Sequence, residues 1–364
     1  MINIIFVGPD PDRFGKNSNP GGQLTAALGI KNFLSNKNVS LVIIDTLQVS
    51  FPLPSLGARL WAGFRRVVRL FFLLSFNNYS AVVLFSGAGF SFYERTLMCA
   101  ISRMFNTRSI LMNRDGHFKA MLDSSWISTL LVIMFLKFPT QIVVQGDSWK
   151  KLLVSHKIPE SKVSVIKNWI SSERIIADAP ISVSDPANIT FTFIGWLIKE
   201  KGLHELVAAV KNLRIKGYIF SVNIIGGGLL EESLMVDVIN SNIEDTVHFT
   251  GWLEKHEVDA YLRKTQVLVL PSHAEGFPNV ILEAMSVGIP VIATKVGAIP
   301  DTISHNVNGT LITLKDISSL ESSMEKYIKH PDLIENQSKE VLSTVLREHS
   351  YEQNLTKLFN LLIC

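Results

Sequence analysis

The alternation of apolar segments and loops in residues 265–303 constrains the fold more than any other stretch of the sequence. Residues 267–270 predict a short strand, and residues 291–294 predict the next one. Between them, Pro278 suits the first turn of a helix and Gly288 marks its end. Repeated strand–helix–strand units build a parallel sheet, and ligands then lie beyond the carboxyl ends of its strands. The pattern therefore predicts an α/β domain with a ligand site in its loops.

The loop after the first of these strands carries Glu275, Gly276, Phe277 and Asn279, and Glu283 follows inside the helix. The start of a helix presents backbone N–H groups and the positive end of its dipole to an anion. Carboxylates accept hydrogen bonds from hydroxyl groups. A diphosphate between two polyhydroxylated rings, as in a nucleotide-sugar, matches this combination. The alternative is that both glutamates are ordinary charges on a helix surface.

The stretch EGFPNVILEAMSVGIPVIAT, with Glu275 and Glu283 at an E-x7-E spacing, resembles the signature of the retaining glycosyltransferases of family 4, the glycosyl transferases group 1. The spacing alone is weak evidence, and the flanking residues make it specific. The resemblance implies the α/β GT-B fold, with two Rossmann-like doubly wound domains facing across a cleft. Residues 1–170 are then expected to bind the acceptor and residues 187–345 the donor, with a C-terminal helix at about 346–364 crossing back to the first domain.

The resemblance is closest between residues 189 and 305, after a polar stretch at 169–187 that we interpret as a linker. Residues 195–202, GWLIKEKG, are similar to the family element G-R-L-x-x-E-K-G, which places Lys201 to neutralise the diphosphate rather than to serve as a surface lysine. Trp196 stands where the family has arginine, so one expected phosphate cation is missing. The donor-binding residues that the resemblance implies are Gly21, Gly22, Gly195, Trp196, Lys201, Gly226, Trp252, Glu275, Gly276, Phe277, Pro278, Asn279 and Glu283.

The resemblance also implies what several of these residues do. Glu275 is expected to bind the hydroxyl groups of the donor sugar and Glu283 those of the ribose. Residues 277–279 are expected to supply backbone N–H groups near the sugar and the phosphate. Gly21 and Gly22, at a strand-to-helix junction, let the backbone approach a phosphate, although a glycine pair also commonly makes only a turn.

A loop after the predicted strand at 109–112 adds two catalytic candidates to Glu275, namely Asp115 and His117. Members of the resembled family often have a histidine or an aspartate here that contacts the transferred sugar or the acceptor. The alternative is an aspartate that stabilises its own loop beside a surface histidine.

No cofactor and no divalent metal are expected. Lys201, the helix N–H groups and the glycine pair would stabilise the leaving diphosphate instead. The two cysteines, Cys99 and Cys364, lie far apart and lack C-x-x-C spacing. Their positions favour a reducing compartment and argue against a zinc site or a disulfide framework.

The formal charge is divided unevenly, at +11 for residues 1–170 and −8 for residues 171–364. Residues 58–76 interleave arginine with aromatic and aliphatic side chains, a pattern that suits a membrane surface. The arginines expected to dock on anionic lipid are Arg59, Arg65, Arg66 and Arg69. The alternative is an ordinary core helix with a solvated basic face. Nucleic acid is not an expected partner, because no nucleic-acid-binding motif accompanies the arginines.

These features predict a metal-independent retaining glycosyltransferase that moves a sugar from a UDP- or GDP-sugar to a lipid-linked saccharide in bacterial surface polysaccharide synthesis, such as O-antigen or capsule. The expected location is cytoplasmic and peripheral, at the inner face of the cell membrane. No leader is expected, since the first strand begins at Ile2, and no apolar run reaches the ~18 residues of a membrane span. The alternative is an inactive partner that binds nucleotide or lipid, which only Trp196 supports.

Overall fold

A computed structural model describes residues 2–13, 22–47, 54–175 and 188–363. The chain forms two compact units. Unit 1 comprises Met1–Asn168 and Tyr351–Cys364, and unit 2 comprises Trp169–Ser350. The first crossing between the units therefore falls at the start of the polar stretch that the sequence marks as a linker.

Unit 1 contains a parallel sheet whose six described strands lie in the order β2-β1-β3-β4-β5-β6. The strands are β1 (Ile2–Gly8), β2 (Val39–Asp45), β3 (Ala81–Ser86), β4 (Arg108–Asn113), β5 (Gln141–Val144) and β6 (Val163–Val165). The helices between them are α1 (Gly22–Ser35), α2 (Leu56–Phe76), α3 (Phe90–Met104), α4 (Phe118–Asp123), α5 (Trp126–Phe135) and α6 (Asp147–Ser155). The strands β3 and β5 are buried along their whole length, as expected where helices cover both faces of a parallel sheet.

Unit 2 repeats this architecture with six described strands in the order β12-β11-β10-β7-β8-β9. The strands are β7 (Ile189–Ile194), β8 (Phe220–Ile225), β9 (Val247–Gly251), β10 (Val267–Leu270), β11 (Val291–Thr294) and β12 (Gly309–Ile312). The helices are α7 (Leu203–Ile215), α8 (Glu231–Asn240), α9 (Lys255–Leu262), α10 (Asn279–Met285), α11 (Ile317–Lys329) and α12 (Asp332–Glu348). The predicted strands at 267–270 and 291–294 are both present and pair in parallel.

The last helix, α13 (Tyr351–Ile363), belongs to unit 1. Its buried residues include Leu355, Leu358 and Leu362, which recur at helical spacing and form one apolar face. The hydroxyl of Tyr351 donates a hydrogen bond of 2.9 Å to the carbonyl oxygen of Gly29 in α1. Unit 1 therefore includes a C-terminal helix that follows unit 2 in the sequence.

The predicted α/β class is confirmed in both units. None of the helices in the described segments, the 21-residue α2 included, carries the long uncharged apolar stretch that crossing a bilayer requires.

Candidate donor-binding site

The carboxyl edge of the unit 2 sheet carries the loops that hold most of the predicted donor-binding residues. From β7 the chain continues to β8 and β9 on one side, and then returns to place β10 against the other side of β7. The loops that follow β7 and β10 therefore diverge from a topological switch point. The loop after β7 carries Lys201, and the loop after β10 carries Glu275.

The two loops meet through an ion pair between those two residues. Lys201 Nζ lies 2.5 Å from Glu275 Oε1, and the two side chains are only 19% and 11% exposed. The pair holds both charges in place, because moving either one away leaves an unpaired charge that is only partly hydrated. The sequence assigned the lysine to a diphosphate and the glutamate to a sugar, and did not predict that they contact each other.

Backbone contacts explain why the two loops approach so closely. His273 donates a backbone hydrogen bond of 2.7 Å to the carbonyl oxygen of Glu200, the residue before Lys201. Gly202 has φ +70°, and a side chain here would collide with the carbonyl oxygen of Pro271. The His273 ring also lies 2.8 Å from a carboxylate oxygen of Glu205 in the first turn of α7. Glycine and these hydrogen bonds thus set the spacing on which the ion pair depends.

The loop after β11 supports the Glu275 segment from the other side. Gly297 has φ +56°, and a side chain here would collide with the carbonyl oxygens of Glu275 and Gly276. Ala298 donates a backbone hydrogen bond of 2.9 Å to the same Gly276 carbonyl. Phe277 is buried and stacks on the ring of His349 at 5.4 Å between ring centroids. The Glu275 loop is therefore held at its backbone on both sides.

Two tryptophans lie at the ends of β7 and β9. The rings of Trp196 and Trp252 meet edge to face, with their centroids 4.8 Å apart. Gly226 has φ +134° and packs against the carbonyl of Gly195, an approach that a side chain would prevent. The backbone N–H of Gly226 donates a hydrogen bond of 2.9 Å to the carbonyl oxygen of Gly251 at the end of β9. An exposed aromatic corner thus stands where the resembled family has an arginine.

Comparison with known proteins places this geometry in a family. Residues 176–342 match the family described as glycosyl transferases group 1. These residues are a group 1 glycosyltransferase domain. The match includes both Lys201 and Glu275, and it confirms the predicted family.

Curated relatives match mainly over the same part of the chain. The amylovoran biosynthesis glycosyltransferase AmsK of Erwinia amylovora is 30% identical over 178 residues, which is 47% of this chain and 43% of AmsK. The putative colanic acid biosynthesis glycosyltransferase WcaL of Escherichia coli is 30% identical over 189 residues, which is 50% of this chain and 46% of WcaL. The matched part of the chain thus spans less than half the length of either relative.

Solved structures extend the likeness to the whole fold. HepE of Anabaena, whose crystal structure contains UDP and glucose, superposes with a TM-score of 0.72 at 15% identity, over 99% of each chain. Identity this low establishes the architecture alone. The expected GT-B fold, with two Rossmann-like units, is confirmed.

Two details of the group 1 domain differ from the sequence-based expectation. The helix α10 begins at Asn279, so Pro278 is its N-cap residue rather than part of its first turn. Pro278 also has no N–H, so within residues 277–279 only Phe277 and Asn279 can donate backbone hydrogen bonds. Glu283, expected at a ribose, lies with Oε1 3.5 Å from an arginine nitrogen of Arg174.

Arg174 is a residue that sequence reasoning missed. It lies in the stretch interpreted as a linker, where composition signals a loop and gives no partner. Its guanidinium joins Glu283 to Asp259, the latter through a hydrogen bond of 3.1 Å. His273 and Glu205 were missed as well, because they make contact across 68 residues of sequence. His273 and Glu205 each stand close to one of the two motifs, but the sequence does not show that they contact each other.

The catalytic candidates in unit 1 are held by their own loop. Asp115 accepts hydrogen bonds from the backbone N–H of Ala88, at 2.8 Å, and of His117, at 2.9 Å. The ring of His117 lies 3.1 Å from the same carboxylate and is exposed. Asp115 therefore has a structural role in joining two loops, and His117 offers the more accessible group. Gly22 is the first residue of α1, and Gly21 lies outside the described residues.

The four arginines of α2 differ in their surroundings. The side chain of Arg66 is 11% exposed and donates two hydrogen bonds, of 2.7 and 3.0 Å, to the carboxylate of Glu94. Burial alone raises the pKa of Glu94, but the hydrogen bond from Arg66 and the charges of Arg95 and Arg66 outweigh it, so that the pKa lies below its ordinary value. Arg66 is thus engaged inside unit 1. Arg65 and Arg69 are exposed, and Arg59 is half-buried.

Proposed function

We propose that this chain is a retaining glycosyltransferase that transfers a sugar from a nucleoside-diphosphate sugar to an acceptor in surface polysaccharide biosynthesis. The observation that carries the proposal is the Lys201–Glu275 pair at the switch point of a group 1 domain. The relatives AmsK and WcaL are named for amylovoran and colanic acid biosynthesis. HepE was solved with UDP and glucose, which favours a UDP-sugar over a GDP-sugar as the donor.

The partly buried Lys201–Glu275 pair supplies the two groups that a donor needs at its reacting centre. The Lys201 ammonium exchanges Glu275 for the diphosphate, and its charge offsets the negative charge that grows on the leaving phosphate. The released Glu275 carboxylate accepts hydrogen bonds from the sugar hydroxyls. Phe277 and Asn279 add backbone donors nearby. Binding of donor thus replaces the lysine–glutamate ion pair by a lysine–diphosphate pair and by hydrogen bonds from sugar hydroxyls to Glu275, so that both charges stay satisfied.

The proposed transfer needs no carboxylate nucleophile. The bond between the anomeric carbon and the diphosphate oxygen breaks, and an acceptor oxygen bonds the same carbon on the same face. The proton of the acceptor hydroxyl passes to the departing phosphate oxygen. Because Lys201 balances the phosphate charge, we expect transfer to continue when a chelator removes divalent cations.

The remaining assignments concern the ribose and the acceptor. We assign Glu283, whose carboxylate is paired with Arg174, to the ribose hydroxyls. Trp196 and Trp252 provide an aromatic surface for the nucleoside. We assign His117, whose ring lies 3.1 Å from the Asp115 carboxylate, to contact with the sugar or the acceptor.

Unit 1 supports an acceptor carried on a lipid at the cytoplasmic face of the membrane. Its charge balance is basic, and α2 exposes Arg65 and Arg69. The helix α5 adds large exposed apolar side chains, among them Trp126, Ile127 and Leu130. Arginine and exposed aromatic groups together suit an anionic lipid surface.

The direct test is transfer by Glu275→Ala beside Glu340→Ala. The first change removes the sugar-binding carboxylate, and the second removes an exposed glutamate on α12. We expect Glu275→Ala to abolish release of nucleoside diphosphate while its far-UV circular dichroism stays native, and Glu340→Ala to behave as wild type. Unchanged turnover in Glu275→Ala would remove this residue from the mechanism.

One observation favours a second function, which is nucleotide binding without transfer by a partner subunit. Trp196 replaces the arginine of the family element and removes one phosphate cation. The two functions are separated by incubating purified protein with UDP-sugars. An enzyme releases UDP, whereas a binding partner shows a rise in melting temperature with no release.

A further inference from the structure

A cavity in unit 1 lies between the end of β2 and one face of α2. Its volume is about 690 Å³. One side is formed by Ile44, Asp45 and Leu47 together with Arg13, and the other by α2 residues between Trp61 and Arg69. This volume falls within the range of small-molecule sites, and it exceeds the size of a phosphate alone.

The cavity is strongly basic, since it is lined by Arg13, Arg65, Arg66 and Arg69 with only the carboxylate of Asp45 among them. Asp45 is occupied, because it accepts backbone N–H groups from Asp10 and Leu47 and an ion pair of 3.2 Å from Arg13. Arg66 is neutralised by Glu94. The cavity therefore has an excess of positive charge.

The excess charge resides on Arg65 and Arg69. Both are exposed, and no carboxylate within the described part of the chain pairs with either. They lie four residues apart on one helix, where like charges repel each other. An anion between them would relieve this repulsion. The planar guanidinium group matches phosphate oxygens in geometry as well as in charge.

An apolar surface adjoins the arginines. The rings of Trp61 and Phe64 stack with their centroids 5.6 Å apart and an interplanar angle of 25°. Their residues remain 61% and 58% exposed. Large exposed aromatic groups next to two arginines suit a ligand with an anionic part and an apolar chain. The arginines would bind the anionic part, and the aromatic rings would pack against the apolar chain.

We propose that this cavity binds the diphosphate of a lipid-linked acceptor. Arg65 and Arg69 hold the phosphate oxygens, and Trp61 and Phe64 pack against the first part of the lipid chain. The assignment to an acceptor rests on the proposed transferase function, while the binding chemistry rests on the cavity itself. It adds a defined phosphate site to what is otherwise a general affinity for anionic surfaces.

The test is calorimetric binding of farnesyl diphosphate and of inorganic diphosphate to the full chain. The variants are Arg65→Gln/Arg69→Gln, Trp61→Ala and, as a control, Arg103→Gln, an exposed arginine of α3 outside the cavity. We expect wild type and Arg103→Gln to bind farnesyl diphosphate equally, and the double variant to bind at least about tenfold more weakly. Trp61→Ala should weaken farnesyl diphosphate and leave inorganic diphosphate unchanged.

Two results would overturn the proposal. The first is a double variant that binds farnesyl diphosphate as tightly as wild type. The second is displacement of farnesyl diphosphate by phosphatidylglycerol vesicles but not by inorganic diphosphate, which would assign the cavity to membrane phospholipid.

The binding experiment tests the cavity separately from the proposed transferase function. UDP binding and UDP release by the wild-type chain are measured beside it. A chain that binds farnesyl diphosphate through Arg65 and Arg69 without binding any nucleotide-sugar supports the cavity and contradicts the transferase. A chain that turns over donor while the double variant still binds farnesyl diphosphate overturns the cavity alone.

Discussion

The carboxyl edges of the two sheets differ in how their charges are arranged. In unit 2, Lys201 and Glu275 neutralise each other in a partly buried ion pair, and glycines allow the backbones of their loops to approach closely. In unit 1, Arg65 and Arg69 are exposed in a cavity with an excess of positive charge. The first arrangement suits a rigid, preorganised site. The second suits a ligand that brings its own negative charge and an apolar part.

Substitutions in each unit test this difference between the two edges. The largest effect on activity is expected from the Lys201–Glu275 ion pair of unit 2. Lys201→Gln or Glu275→Gln should lower kcat by about 10²–10³-fold, because either change removes a group that contacts the reacting donor. The two losses should be far from additive, since each residue positions the other. Steady-state kinetics of the two single variants and the double variant measure this coupling, and simple additivity would show that the residues act independently.

A buried pair in unit 1 provides a contrast that affects stability rather than activity. Glu94→Gln leaves Arg66 and Arg95 buried beside a neutral group and should reduce the free energy of unfolding by about 3–5 kcal/mol. Glu160→Gln, which breaks an exposed pair with Lys150, should change it by less than about 1 kcal/mol. Urea denaturation measures both, and equal values would mean that the Glu94 carboxylate is not effectively buried.

The lowered pKa of Glu94 adds a pH dependence of known sign. The charged form stabilises the native state at pH values above the ordinary pKa of 4.5, and this contribution is lost as the pH falls through the lower native value. The stability difference between wild type and Glu94→Gln should therefore shrink below about pH 4.5. A difference that grows as the pH falls would contradict the direction of the shift.

A smaller effect is expected from the glycine that supports the Glu275 loop. That glycine is Gly297, and Gly217 provides the control. Gly217→Ala introduces a side chain at φ +86° into open space and should reduce the free energy of unfolding by about 1–2 kcal/mol. Gly297→Ala adds a collision with the Glu275 and Gly276 carbonyls and should exceed this value. Only Gly297→Ala should also lower the transfer rate. Equal activity in the two variants would mean that the loop after β11 does not position Glu275.

The smallest effect concerns the return of the chain to unit 1. Tyr351→Phe removes one hydrogen bond to Gly29 and should reduce the free energy of unfolding by about 1 kcal/mol. Tyr79→Phe is the control, because the Tyr79 hydroxyl has no hydrogen bond to any residue that the structure describes. Thermal unfolding of both variants shows whether the α13 contact contributes at all.

The sequence predicted the local parts of the site and missed the contacts between them. The strand–loop–helix pattern around Glu275 and the element containing Lys201 are each continuous in the chain, so periodicity and turn residues reveal them. The ion pair joins residues 74 positions apart, and its formation depends on the register of β7 against β10. Arg174 was missed because a polar, proline-containing stretch indicates a loop without indicating its partner.

The basic helix of unit 1 shows a different limit of sequence reasoning. All four arginines of α2 are equivalent by composition, and helical periodicity leaves Arg66 among the candidates for a surface. Only the packing of α2 against α3 reveals that Glu94 neutralises Arg66. The same packing separates Arg65 and Arg69 as the residues available to a ligand.

In the proposed mechanism, Lys201 binds the diphosphate of the donor and Glu275 binds its sugar. Calorimetric titration of the bare nucleoside diphosphate, UDP or GDP according to which the wild type binds, tests it most directly. Lys201→Gln should lose at least about tenfold in affinity, whereas Glu275→Gln should bind at least as tightly as wild type, because no carboxylate competes for Lys201, and should fail only in transfer. Equal loss of nucleotide affinity in both variants, or no loss in either, would contradict the account.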